Sequence, residues 1–162
     1  MSKATIAVTA HMEKADRALT SARTLLAAND GDGACNRAYY AMFDAAHAAL
    51  LAMAPDAVET GIKTHSRLVG VFGERIIQPK LLTNEFGRAL NKVQHFREVA
   101  DYSGDPVSHE DAAWAVEQAE AFVGIPGIPS IPHSGDSALN RRCIPAQPSY
   151  RNKCTVTVTL SP

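Results

Sequence analysis

The chain has 162 residues, a net charge of −1 and a charged fraction of 20%. This length indicates one domain with enough chain for a hydrophobic core. The near-neutral charge gives no global electrostatic case for nucleic-acid binding, although a local basic patch remains compatible with it. No apolar run approaches the length of a membrane span, and the N-terminus lacks the basic and then apolar layout of a signal peptide. These features predict a cytoplasmic protein without a membrane segment.

Five helices are predicted from apolar side chains that recur at three- and four-residue steps. Residues 29–33 are rich in Asn, Asp and Gly, which tolerate left-handed backbone and end the first helix; Pro55 and Pro79 end the second and third. Ser108 and Asp111 fit a capping box at the start of the fifth. The helices cover about residues 5–29, 34–53, 64–77, 84–102 and a segment from 108 onward. Short connections between them predict an all-α antiparallel bundle with an irregular C-terminal tail.

The composition changes near Gly124. Residues 1–124 carry 12 basic and 16 acidic side chains, whereas residues 125–162 carry 4 basic and 1 acidic and hold six of the nine prolines. Proline cannot continue a helix and favours extended backbone. We therefore predict a helical domain over residues 1–124 and a flexible Pro-rich tail, without a site, over residues 125–162.

Four polar side chains follow one another along the second helix. Arg37, Tyr40, Asp44 and His47 lie at steps of three, four and three, which places them on one face. One interpretation is a polar binding site along the helix. The other is a ladder of intrahelical ion pairs and hydrogen bonds beside the core, and the spacing alone favours this second interpretation.

The entrance of the third helix is a further candidate for anion binding. Thr64 is predicted to cap this helix, and Lys63 and His65 flank it at a helix N-terminus, where anions are favoured. A short segment with lysine and histidine is more often solvated surface, so the anion-binding interpretation is the less common of the two.

The stretch Arg97-Glu-Val-Ala-Asp-Tyr102 lies at the end of the fourth helix, just before the breaker run Ser-Gly-Asp-Pro. Arg97 and Asp101 are four residues apart and are placed to pair directly. The same arrangement suits recognition of a phosphate, because a guanidinium binds phosphate oxygens in bidentate fashion.

The sequence lacks the common nucleotide-binding and hydrolase motifs: GxxxxGK[ST], GxGxxG, HExxH and GxSxG. Asp44 and His47 form one pair with metal-ligand chemistry, but no other helix carries a matching pair, which a bundle site needs. Cys35, Cys143 and Cys154 have neither zinc-finger nor CxxC spacing, and Cys35 is expected to pack as a small apolar residue. We therefore predict no metal and no cofactor.

Three blocks, in this order, resemble the HEPN domain family, and in particular its small single-domain bacterial and archaeal branch. They are Arg37-Ala-Tyr-Tyr-Ala-Met-Phe-Asp-Ala-Ala-His-Ala-Ala-Leu-Leu51, then Lys63-Thr-His-Ser with Phe72-Gly, then Arg97-Glu-Val-Ala-Asp-Tyr102. The resemblance spans about residues 4–124 and omits the tail. It implies a helical bundle that commonly dimerises. In many members it also implies a metal-independent ribonuclease, often a toxin paired with a minimal nucleotidyltransferase antitoxin.

The active motif of those members is an arginine followed four to six residues later by a histidine. Arg97 matches the arginine, but positions 101 to 103 are Asp, Tyr and Ser, so the histidine is missing. The resemblance therefore implies a catalytic group of Arg97, Asp101 and Tyr102. The residues predicted to bind substrate are those of the two features described above, Arg37, Tyr40, Asp44, His47, Lys63 and His65. Proton transfer then needs another group, and His47 or His65 would serve if the fold brings either one to Arg97.

Two functions follow from these features. The first is a HEPN-type toxin or RNase-like module that acts on RNA as a homodimer and is paired with a nucleotidyltransferase antitoxin. The alternative is a non-catalytic HEPN module that has kept the bundle and binds a nucleotide or a partner protein through the surfaces around Arg37 and His65. A helical scaffold that only oligomerises is a third, simpler interpretation.

Overall fold

The computed structural model describes residues 3–59, 61–62, 64–102 and 106–128, without the side chains of residues 3, 59, 101 and 102. Within these ranges the regular structure is helical, as the all-α prediction requires. A π-helical segment, Gly73–Ile77, directly continues α4. The helices are α1 (Lys3–Ala27), α2 (Gly31–Met53), α3 (Asp56–Glu59), α4 (His65–Phe72), α5 (Asn84–Tyr102) and α6 (His109–Val123).

Side-chain caps set the starts of three helices. Thr64 accepts a hydrogen bond from the backbone N–H of Arg67, and Ser108 accepts one from that of Asp111, so both predicted caps are confirmed. At α2 the prediction was three residues late. Asp30 accepts from the N–H of Gly33 at 2.8 Å and starts the helix at Gly31. The left-handed turn falls instead on Asn29, whose φ is 60°.

The core is arranged around α2, which contacts every other helix of the described residues. Small side chains dominate its inner face, and such side chains allow neighbouring helix axes to approach closely. Cys35 is fully buried, as expected of a small apolar residue. The fully buried residues of α2 are Ala34, Cys35, Ala38, Tyr39, Ala41, Met42, Ala45, Ala46, Ala48, Ala49 and Leu50.

The first turn of α2 is held against the segment that leads into α6. The backbone N–H of Val107 donates to Oδ1 of Asp32 at 2.7 Å. A Cβ atom at Gly31 would lie 2.6 Å from the carbonyl oxygen of Val107, so only glycine fits this approach without a backbone shift. Gly31 and Asp32, which the sequence analysis placed in the segment that ends the first helix, therefore connect α2 to the segment before α6.

Buried side chains continue past the end of α6. Ile125 and Ile128 are 1% and 5% exposed and belong to the core, although both follow the domain boundary predicted at Gly124. The rest of the predicted tail, with Cys143 and Cys154, lies outside the described residues. Among the helices described, none combines the length and the apolar character that a membrane span requires.

Candidate functional site

The guanidinium of Arg97 lies against the aromatic rings of α2. Its Cζ is 5.4 Å from the ring centroid of Tyr39 and 5.7 Å from that of Tyr40, distances at which a cation is attracted to an aromatic ring. The side chain is half-buried and its Nε is shielded from solvent. Arg97 is therefore held in place on the bundle. The side chains of Asp101 and Tyr102 lie outside the described residues, and the predicted Arg97–Asp101 pair stays a prediction.

His65 of α4 lies against the same two tyrosines. Its Nδ1 is 3.0 Å from the hydroxyl of Tyr39, and its ring centroid is 5.6 Å from that of Tyr39 and 6.0 Å from that of Tyr40. The Thr64 cap places it, since His65 is the first residue of the capped helix. Of the two histidines considered for proton transfer, His65 is thus the one that shares its surroundings with Arg97. Lys63 lies outside the described residues.

Burial and the charge of Arg97 set the protonation states in this cluster. Burial raises the pKa of Tyr39 to about 12, against a smaller lowering by Arg97, so the phenol stays protonated at neutral pH. Burial, and then the charge of Arg97, lower the pKa of His65 below its usual 6.5. The imidazole is therefore neutral at pH 7, which is the form able to accept a proton.

His47, the last of the four polar residues predicted along α2, contacts a different set of side chains from Arg97. Its ring stacks on Phe43 at 5.3 Å between centroids and meets the edge of His11 at 4.8 Å. Both of its ring nitrogens are buried and have no hydrogen-bond partner among the described residues. Burial, followed by the neighbouring His11, lowers the pKa of His47 to about 4, although the carboxylate of Asp44 acts in the opposite direction.

Asp44 bonds to another helix and not along its own. Its Oδ1 is 2.9 Å from Nδ1 of His11 on α1. Arg37 instead extends over the ring of Tyr40, with its Cζ 5.4 Å from the centroid. Among the described side chains of α2, the expected ladder of intrahelical ion pairs is therefore not formed, because Asp44 bonds to His11 of α1 and Arg37 contacts the ring of Tyr40.

A basic groove runs between α1 and α2 beside Tyr40. It encloses about 270 Å³ and brings three cationic side chains, Lys14, Arg17 and Arg37, to two hydroxyls and one carboxylate. Arg37 also lines two neighbouring grooves. This excess of positive charge favours an anionic guest such as a phosphate diester. The lining residues are Lys14, Arg17, Ala18, Ser21, Arg37, Tyr40 and Asp44.

The structure divides the predicted site residues into two neighbouring groups joined by Tyr40. Arg97 and His65 form one group with the tyrosine rings, and Arg37 and Asp44 line the basic groove. Tyr39 was missed, because it lies outside the row of Arg37, Tyr40, Asp44 and His47 that the sequence analysis followed. Tyr39 lies three residues before Met42 and four before Phe43. This spacing does not indicate that its hydroxyl bonds to His65 of another helix.

The α1 members of the site, His11, Lys14 and Arg17, were also missed. They recur on one side of a helix that was read only for its apolar stripe, and their three-residue spacing was the available signal.

No set of three His, Cys, Asp or Glu side chains within the described ranges is arranged to hold a metal ion.

The fold and this arginine-bearing site define a known class of helical protein. The family model of the HEPN domain matches residues 8–126, and the chain belongs to the HEPN family. It is 32% identical over 116 residues to the "UPF0332 protein glr0978" of Gloeobacter violaceus, which covers 70% of this chain and 88% of that protein. It is 30% identical over 116 residues to the "Putative toxin MJ0605" of Methanocaldococcus jannaschii, with 72% and 83% covered.

Proposed function

We propose that this HEPN protein is an RNase-like toxin that acts on RNA as a dimer and is paired with a nucleotidyltransferase antitoxin. One observation carries the proposal. The arginine at the family's motif position is half-buried, is held on two tyrosine rings and has a neutral imidazole against the same rings. A guanidinium fixed in this way stabilises the charge that develops on a phosphate during transfer.

The surroundings of Arg97 suit a single-stranded nucleic acid. Proteins that bind single strands combine cations along the backbone with aromatic faces on which bases stack. Here Tyr40, Phe43 and His65 are half-buried, and the basic groove with Lys14, Arg17 and Arg37 begins at Tyr40. We therefore expect binding to weaken as salt rises, since each neutralised phosphate releases counterions.

The toxin role and the assembly draw on the family. The archaeal relative bears a toxin's name, and its alignment covers most of both chains. Dimerisation would bring two copies of Arg97 to one substrate, and an antitoxin would protect the host cell. Both parts of the proposal are tested by measuring the mass of the purified protein and by co-expression with a neighbouring nucleotidyltransferase.

The direct test is cleavage of RNA in EDTA by the full chain and by Arg97→Ala. We expect the substitution to slow cleavage by ~100-fold or more, because it removes a cation that acts on the transition state. Arg88→Ala is the matched control, since Arg88 is an exposed arginine on the same helix α5. Thermal unfolding of each variant separates loss of activity from loss of fold.

Equal cleavage by the wild type and Arg97→Ala would remove Arg97 from the mechanism. Absence of cleavage by the wild type would instead favour the non-catalytic binding module. The aspartate, tyrosine and serine at positions 101 to 103 support that alternative, since they replace the motif histidine. A nucleotide or partner that binds only the folded state would then raise the melting temperature.

A further inference from the structure

We infer that His65 is the proton-transfer group of this site and that the hydroxyl of Tyr39 orients it beside Arg97. The inference rests on the proposed RNA cleavage and assigns the missing catalytic role to a different helix. In this chain the arginine comes from α5 and the imidazole from the N-terminus of α4.

The geometry fixes the imidazole on two sides. Its ring packs on Phe43 at 4.5 Å between centroids, and its Nδ1 meets the hydroxyl of Tyr39 at 3.0 Å. Since Tyr39 is itself fully buried, its hydroxyl is a rigid reference point. A hydroxyl both donates and accepts, so it fits either tautomer of the neutral ring. When Nδ1–H donates to Tyr39, the lone pair of Nε2 is left for a substrate.

The chemical step is a transesterification. The 2′-oxygen of a ribose attacks the adjacent phosphorus, and its proton moves to Nε2 of His65. The bond from phosphorus to the 5′-oxygen of the next nucleotide breaks, and that oxygen takes a proton from solvent. Arg97 binds the non-bridging oxygens throughout. The products are a 2′,3′-cyclic phosphate and a 5′-hydroxyl end, and His65 then returns its proton to solvent. No oxidant, reductant or metal enters the balance.

The charges around His65 keep it in the required state. Among the described residues, the titratable groups that face it are Tyr39 and Tyr40 from α2 and Arg97 from α5. Burial and the arginine's charge both lower the pKa of His65, so the base form prevails at neutral pH. A proton taken from the substrate is consequently held weakly and is readily lost again.

The other histidines of the bundle are less well placed. His47 lies beyond Phe43 against His11, and His11 is engaged by Asp44. His95 is exposed and is two residues from Arg97 on the same helix, which directs it to a different face. His109 is exposed at the start of α6, where it lines a groove with Arg23 and Glu120. Of the described histidines in the bundle, His65 therefore combines contact with the rings under Arg97 and a hydrogen bond that fixes its orientation.

The test compares pH–rate profiles of RNA cleavage for the wild type, His65→Gln and the matched control His95→Gln. We expect wild-type kcat/KM to rise through a pKa below 6.5 and then level off. His65→Gln should cleave ~100-fold more slowly or worse, within the range of general base catalysis, and should lose the rising limb. His95→Gln should keep both the rate and the limb.

Two further variants separate chemistry from structure. In His65→Ala, added imidazole should restore cleavage in proportion to its neutral fraction, which a purely structural role would not allow. In Tyr39→Phe, the ring remains but the orienting hydroxyl is lost, so kcat should fall by ~10-fold while KM stays near the wild-type value. Thermal unfolding checks that each variant is folded.

The outcomes distinguish the inference from the function on which it rests. A wild type that leaves RNA intact in EDTA overturns both. Cleavage that depends on Arg97 but is unchanged in rate and pH profile by His65→Gln overturns the role of His65 alone. If His65→Gln does not fold, a wild-type profile without a rising limb below pH 6.5 has the same consequence.

Discussion

His47 is the residue whose position is hardest to reconcile with stability alone. Its two ring nitrogens are buried without a hydrogen-bond partner among the described residues, and an unsatisfied buried polar group costs about 1–3 kcal/mol. The ring nevertheless fills space between Phe43 and His11. Because the pKa of His47 is lowered to about 4, the ring contributes as a neutral and largely apolar group at pH 7.

The stability of the protein should therefore depend on this histidine in weakly acidic solution. Between pH 6.5 and 4 an unfolded chain binds a proton at His47 and the folded chain does not, so the free energy of unfolding falls as pH falls. His47→Leu removes this dependence. We expect the wild type to lose on the order of 1–2 kcal/mol more than the variant, after reduction for screening of a partly buried group.

Denaturant unfolding at several pH values measures that difference. His95→Gln serves as the control, because His95 is an exposed histidine outside the contact of His47 with Phe43 and His11. Parallel curves for the wild type and His47→Leu from pH 7 to pH 4 would contradict the prediction and would mean that the pKa of His47 is near its ordinary value.

At the scale of residues, the sequence marked Arg97 as a candidate but did not show which rings surround it. The pairing of its guanidinium with Asp101 stays a prediction, and its described contacts include two tyrosine rings from α2. Such a contact joins residues almost sixty positions apart. Helical periodicity assigns a side chain to a face but does not show which element covers that face, so the contact of Tyr39 with Arg97 could not be predicted.

Among the elements, the junction of α2 with α6 depends on one small residue. Gly31→Ala places a Cβ 2.6 Å from the carbonyl oxygen of Val107, so either the start of α2 or the segment before α6 must move. We expect a loss of about 1–3 kcal/mol, of the size caused by overpacking, and a melting temperature lower by several degrees.

Gly70→Ala is a matched control with the opposite expected sign. Gly70 lies inside α4, and a Cβ there meets nothing within 4 Å. Alanine should therefore stabilise the protein by about 0.5–1 kcal/mol through helix propensity. Thermal unfolding of both variants is the measurement. Equal shifts in the same direction would show that the contact with Val107 has no energetic weight.

Helix ends were predictable where a single side chain defines them, as at Thr64 and Ser108. The start of α2 was not, because Asp30-Gly-Asp-Gly suits a turn and a capped first helical turn equally well. The single turn α3 after Pro55 and the π-helical segment that follows α4 were also missed. A widened turn adds one residue to a helix without changing its apolar periodicity enough to be recognised.

For the whole molecule, truncation measures where the folded unit ends. Residues 1–131 form one compact unit, whereas the predicted boundary at Gly124 would remove the buried Ile125 and Ile128. We expect a chain that ends after residue 131 to melt like the full chain. A chain that ends after Gly124 should keep its helices but lose about 2 kcal/mol for each isoleucine.

Circular dichroism and thermal unfolding of the two truncated chains supply the comparison. Identical melting temperatures would show that the two isoleucines contribute nothing and that the boundary belongs at Gly124. A large loss of stability on truncation after residue 131 would instead place part of the folded unit further along the chain.

At this largest scale the all-α architecture was predictable because each helix carries a complete apolar stripe. The composite site was not. Arg97, His65 and the basic groove come from α5, α4, α1 and α2, and only the order of helix packing brings them together. The sequence named Arg97, His65 and Arg37 as separate candidates, but only the tertiary contacts show which of them share a site.

The alanine-rich inner face of α2 has a consequence for how such a protein diverges. Ala38 and Ala45 are fully buried, and the neighbouring helices leave no room for a longer side chain at either position. A larger residue there would therefore displace α2 from the helices packed against it. Tyr40 and Asp44 belong to α2 and would move with it. Buried positions are thereby coupled to the geometry of the proposed site, and we expect substitutions there to alter it without contacting solvent or substrate.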